Sequence, residues 1–293
     1  MVTRGELLAL VDGAPGRLRT LQAALTTWTH RGRVAEVHRR TDWEPGPAAG
    51  DDPAAPDLDD DLDDDLDGDL DDPGNGPGLV VVPDEDPEVE TVATSYVVVA
   101  PPDRWRVVGR GYLAVSDGQR SWAGTSTLVT ERDSVRAAIS DAGPIGSCLY
   151  PGPLLRNLTF TVPVAGDIEG RPCWFVTGEP RTAGRKALPR GVAGWRSHRD
   201  LVGIDHAVWF DALTGIILRH EGSIDGEPCS STSLTDLVFD GGVDSAEFRP
   251  PPGAVVRSRH ELLRDHLAAM GIDPDTVDLD DPVQVREALR QGG

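Results

Sequence analysis

The chain has 293 residues, with 49 acidic and 28 basic side chains and a formal net charge of −21. Phosphate backbones and anionic membrane surfaces repel a chain this acidic, so a nucleic-acid partner is excluded. No window approaches 18 uninterrupted apolar residues, so no membrane span is expected.

Much of the acidity is local. Residues 51–72 hold 13 Asp and no Lys or Arg; without those charges, −21 becomes −8, the balance of an ordinary mildly acidic globule. The length allows one large β domain or two small ones. The opening run, Met1 to Leu10, lacks a basic segment followed by a 7–15 residue apolar stretch, so a cytoplasmic location is expected. Cys148, Cys173 and Cys229 form no C-x-x-C pair and read as reduced, buried thiols in a reducing compartment.

In chain order, residues 3–28 read as one helix or two short ones. Leu7, Leu8, Leu10 and Val11 precede a Gly-Ala-Pro-Gly break; Leu18, Leu21, Ala24, Leu25 and Trp28 then recur at helical spacing. Residues 33–43 alternate and predict a first strand, and residues 92–100 predict the next. Between them, at about 45–90, lies an insertion rich in Pro, Gly and Asp, too polar and self-repelling to fold. Within it, Asp63, Asp65, Asp67 and Gly68 match half of an EF-hand loop, but Gly74 stands where a bidentate Glu is needed. It reads as a solvated spacer and no metal site is assigned.

From residue 101 the strands come quickly. Arg104–Leu113 alternates around Trp105, Asp117-Gly118 signals a hairpin, and Trp122 and Ser126–Arg132 continue the meander. Residues 134–142 predict a short helix, and residues 145–158 a second one or a buried loop. Strands at 159–167 and 172–179 meet at Gly170-Arg171. Residues 181–203 are basic and Gly-rich and read as a connecting loop. A long meander follows: a strand through Trp209, the loop Asp211–Gly215, a second strand, the turn Asp225-Gly226, and a strand over 231–239. Ser258–Met270 and 283–289 predict helices, the second opened by Asp281-Pro282.

Two sets of residues carry a family resemblance. The first is Trp209-Phe210-Asp211, Thr214-Gly215, Leu218-Arg219, Glu221, Leu237 and Phe248-Arg249-Pro250-Pro251. The second is Pro102, Arg104-Trp105-Arg106, Asp117-Gly118 and Trp122. Together they resemble the LolA/LolB/RseB-like superfamily, as a cytoplasmic variant. The resemblance implies a mainly β (α+β) fold: a single curved antiparallel sheet, a half-barrel, with N-terminal, mid-chain and C-terminal helices. Residues 1–252 would form the half-barrel, interrupted by the acidic insertion, and residues 253–293 a helical appendage. It also implies an apolar cavity between sheet and helices, and members that carry or sense lipids or lipidated proteins.

The sequence holds no G-x-S-x-G, P-loop, G-x-G-x-x-G or H-E-x-x-H motif. Its seven His, at 30, 38, 198, 206, 220, 260 and 266, form no i, i+4 pair on a predicted helix. The expectation is therefore a non-catalytic binding module without a cofactor. Its ligand would be an acyl chain or similar hydrophobic molecule, in a site lined by Trp105, Trp122, Leu154, Leu155, Trp174 and Trp209. The alternative is a regulatory or scaffold protein that binds a protein partner through the sheet edge, the acidic loop or the C-terminal helices. A cavity of several hundred Å³ would favour the first, and a filled interior the second.

Overall fold

The computed structural model describes residues 2–40, 89–132, 143–180, 202–279 and 281–292. The acidic insertion up to residue 88, with its EF-hand-like run, lies outside them, as do the helix expected at 134–142 and residues 181–201 of the basic stretch.

The chain opens with α1 (Arg4–Asp12), β1 (Leu21–His30) and α2 (Arg31–Arg40). A meander follows: β2 (Glu90–Ala100), β3 (Arg104–Gly109), β4 (Tyr112–Asp117), β5 (Ser121–Gly124) and β6 (Leu128–Arg132). Two short helices, α3 (Pro144–Leu149) and α4 (Gly152–Asn157), precede β7 (Leu158–Phe160), β8 (Val164–Ile168) and β9 (Arg171–Pro180). The second meander is β10 (Asp205–Asp211), β11 (Ile217–Ile224) and β12 (Glu227–Phe239). The chain ends with β13 (Val255–Ser258), α5 (Arg259–Ala269) and α6 (Pro282–Gly292).

All the described strands join one curved, open sheet in the order β13-β6-β5-β4-β3-β2-β1-β12-β11-β10-β9-β7, with β8 beside β7 on β9. Every pairing is antiparallel except β13 on β6. The segment after residue 252 thus begins inside the sheet before turning into α5, which packs on β6 and β13.

Four sequence expectations are corrected here. Residues 21–30 are a strand. Ala23 and Ala24 suit either period, but the buried set is Leu21, Ala23 and Leu25, and Thr26, Thr27 and Thr29 are stiff at χ1 and prefer a strand. Residues 31–40 are a helix: Val34 and Val37, three apart, are buried, and Glu36 pairs with Arg40 one turn on at 2.7 Å. The run 104–113 breaks at Gly109-Arg110-Gly111, where Gly111 has φ 75°. The run 159–167 breaks before Pro163, which has no N–H for a ladder.

One face of the sheet carries the main core. From the sheet come Leu25, Val97, Trp105, Val176, Phe210 and Leu218, among others. Over it lie α1, α3 and α4, which contribute Leu7, Val11, Ile145, Leu149, Leu154 and Leu155 to the same cluster. Thr3 and Glu6 form a capping box that sets where α1 starts. The opposite face is buried only in places: Val98 and Ala100 lie under Phe248, and Leu113, Val115, Trp122 and Val129 form a separate cluster.

Leu155→Ala should cost about 2–5 kcal/mol, because a fully buried side chain is removed from a packed site. Val92→Ala, at 65% exposure, should stay within about 0.5 kcal/mol. Urea unfolding midpoints check both.

Candidate functional site

The six residues named from the sequence are not brought to one place. Trp105, Leu154 and Leu155 lie in the main core, and Trp174 packs against it. Trp122 sits across the sheet: Trp105 and Val115 occupy alternate faces of the β3–β4 pair, and Trp122 pairs with Val115. Trp209 is half-buried and, like Trp174, packs against the main core, with its ring 4.7 Å from Phe175 and under the Arg219 guanidinium. The space between sheet and helices is occupied by the chain's own side chains.

A hollow does lie elsewhere among the described residues. It is a groove of about 530 Å³ at the end of the sheet where β9 finishes and β10 begins. Its walls are mostly polar: Arg4, Thr161, Thr177, Glu179, Asp205, His206 and Glu221, with Phe160, Gly178 and Gly222. None of the six named residues lines it.

At this groove the structure joins two residues that motif reading passed over. His206 Nδ1 and His220 Nε2 share a hydrogen bond of 2.9 Å. His220 is wholly buried, and its Nδ1 has no partner. Burial, and then the neighbouring His206, hold its pKa well below the usual imidazole value of 6.5. The two lie 14 residues apart, a spacing that helical motif searches ignore. A hairpin centred on the 211–215 loop brings them together, because Val208 faces His220 and His206 faces Gly222.

The second buried polar centre is Asp211, at the tip of the same hairpin. It pairs with Arg171 and accepts hydrogen bonds from the backbone N–H groups of Leu213 and Thr214 at 3.0 and 2.6 Å and from the Thr214 hydroxyl at 2.8 Å. Burial alone would raise its pKa, but the Arg171 and Thr214 hydrogen bonds outweigh that and leave it below the usual 3.8. Gly215 closes the loop at φ 83°. Its missing Cβ leaves room for the Leu10 carbonyl, which an added Cβ would meet at 2.6 Å, so the loop sits directly against α1.

The three thiols are separate and buried, and none is in a disulfide. Burial pushes the Cys173 and Cys229 thiols up in pKa. Among the described residues no group of three His, Cys, Asp or Glu could hold a metal ion, and no helix is long and apolar enough to cross a membrane.

A mainly β chain built on a large, open, curved sheet with helices is consistent with the half-barrel that the motifs implied. No family model matches the chain, and no curated protein matches it in sequence. Solved structures similar to it include MucB of Pseudomonas aeruginosa, also solved as a complex with MucA. MucB is 12% identical over 87% of this chain and 65% of its own length, with a TM-score of 0.41, so the chain spans under two thirds of it. LprF of Mycobacterium bovis is 10% identical over 87% of this chain and 100% of its own, with a TM-score of 0.38. A LolA superfamily protein of Nitrosomonas europaea is 9% identical over 85% and 98%, with a TM-score of 0.30.

Asp211→Asn should destabilise the fold by about 2–4 kcal/mol at pH 7, because Arg171 loses its charge partner and the loop a bond acceptor. A carboxylate with a lowered pKa stabilises the fold above its unfolded value and loses that contribution as pH falls. The gap between wild type and variant should therefore close below about pH 3.8, read from urea unfolding across pH 7 to 2.5.

Proposed function

We propose that this chain is a non-catalytic binding protein whose ligand is another polypeptide. The observation that carries this reading is the filled interior. Leu7, Ile145, Leu149 and Leu155 of the covering helices are fully buried against the sheet, so an acyl chain would have to displace them. The β7–β8 edge offers a polypeptide more. Most of β8 is exposed, with Val164 at 59% and Val162 just before the strand at 53%, and an extended segment could add to such an edge by main-chain hydrogen bonds. Three thiols with no disulfide among them suit a reducing, cytoplasmic setting.

A second reading has its own support. The cover consists of helices of nine, six and six residues, lengths that are marginal without packing. If a lipid displaced them, Trp105, Leu154 and Leu155 would line the trough, with Trp174 and Trp209 beside it, while Trp122 would remain across the sheet.

Two measurements decide between the readings. A photo-crosslinking residue at Val164, in the producing cell, should yield one discrete protein adduct, and the same residue at Val92 should yield none. Native mass spectrometry of the purified protein at pH 7.5 should show the bare chain mass, with no uptake of a fluorescent fatty acid. A co-purifying acyl species near unit occupancy would overturn the polypeptide reading and establish the second.

A further inference from the structure

We propose that the polypeptide received at the β7–β8 edge is a basic one: an extended segment with an apolar middle and Lys or Arg toward its ends, added as a strand beside β8. This rests on the polypeptide reading above and names the chemistry of the partner.

The edge itself is available. Among the described strands β8 pairs with β9 alone, so the other side of its backbone carries no ladder there. Val164, Ala165, Gly166 and Asp167 are all exposed. Edge strands are commonly blunted by Lys side chains, by Pro or by a bulge. Residues 158–170 hold Pro163 but no Lys or Arg. The row that runs inward from the edge is apolar. Val164 stands beside Phe175, and Phe175 beside Trp209, with ring centroids 4.7 Å apart. A strand laid on β8 at the ordinary spacing of about 4.8 Å continues that row with an apolar side chain next to Val164.

The charge around the edge has one sign. At the β8–β9 turn stand Asp167 and Glu169, both exposed. At the other end the groove starts from Thr159–Thr161 and holds Glu179, the cross-strand partner of Thr159, and Asp205 of β10. The guanidiniums on this side are already engaged: Arg171 with Asp211, Arg219 with Glu221, and Arg4 over the Phe160 ring. That leaves Asp167, Glu169, Glu179 and Asp205 outside any ion pair among the described residues. A Lys or Arg laid beside Thr159 is two strands, roughly 10 Å, from the Glu179 backbone, within the joint reach of two long side chains.

The same charges disfavour a second copy of the chain. Two β8 edges paired antiparallel would bring the Asp167–Glu169 turn of one toward the Glu179 end of the other, like charge on like. Exposed ion pairs are each worth only about a 1.5- to 5-fold gain. Main-chain pairing therefore supplies the binding, and the carboxylates select which strand is accepted.

Amide NMR of the full chain tests this. The probes are the peptide Lys-Thr-Val-Thr-Val-Thr-Lys and matched peptides with Gln or Glu in place of both Lys. The Lys peptide should shift the amides of residues 164–168 and bind about tenfold tighter than the Glu peptide at low salt. Raising NaCl from about 50 to about 300 mM should remove most of that difference. Glu179→Gln combined with Asp205→Asn should weaken the Lys peptide about fivefold and leave the Gln peptide unchanged. Glu287→Gln, on α6, should change neither. Equal binding of the three peptides would overturn the basic partner and leave the polypeptide reading in place. So would no shift with any peptide alongside a discrete protein adduct at Val164. No shift and no adduct would overturn both. Shifts confined to strands away from β8 would overturn the proposed place of binding. Binding of the Lys peptide that emerges only after Arg181, Arg185 and Lys186 are changed to Gln would give the edge to the chain's own basic stretch, and overturn the separate partner.

Discussion

The cover over one apolar sheet face is what the rest of this structure depends on. A sandwich answers that need with a second sheet; here there is none, and a face this apolar is not stable in water. The chain supplies the cover from two distant places, α1 at the start and α3–α4 in the middle, which meet over the same strands. Neither part is long enough to hold itself. Their helices persist because Leu7, Val11, Ile145, Leu149 and Leu155 find the sheet beneath them. Cover and sheet are therefore one cooperative unit, and whatever loosens the cover uncovers the core.

The sheet in turn depends on a pairing that is remote in sequence. β1 lies between β2 and β12, so residues 21–30 are bonded to residues 230–239 across nearly the whole chain. That join fuses two meanders, β2–β6 and β10–β12, each of which is local and hairpin-connected. A chain of this kind can form its hairpins early, but it gains the full core only when β1 closes the gap, with the cost of that long loop met before the contacts repay it. The same join places α1 over the β10–β11 hairpin, where the Leu10 carbonyl meets Gly215.

The local meanders were legible in the sequence for the same reason. Asp117-Gly118, Asp225-Gly226 and Thr214-Gly215 mark turns through their chemistry, and the strands between them alternate. What the sequence obscured was decided by partners far away. Leu21–Trp28 fits a helix on spacing alone; β2 and β12 on either side make it a strand. Val34 and Val37 fit a strand or a helix until α2 lands on β12. The four strand tryptophans were visible as apolar residues, but their faces were not, since a single break such as Gly109–Gly111 resets the register that assigns Trp105 to one side and Trp122 to the other. The histidine pair needed register as well: neither residue carries a motif, and only the β10–β11 pairing makes them neighbours.

Two buried polar centres in one hairpin show how differently a core can hold polarity. Asp211 is saturated: a guanidinium, two backbone N–H groups and a hydroxyl converge on one carboxylate, and they overcome the burial that would otherwise neutralise it. Such a centre fixes its loop and resists change over the whole neutral range. His220 is the opposite case, with one partner that is itself titratable and one nitrogen left unpaired. An apolar residue of similar size would fill the position without that cost, so packing alone does not account for an imidazole there. The hairpin is therefore pinned by a saturated carboxylate at its tip and holds an under-satisfied imidazole about five residues of strand away.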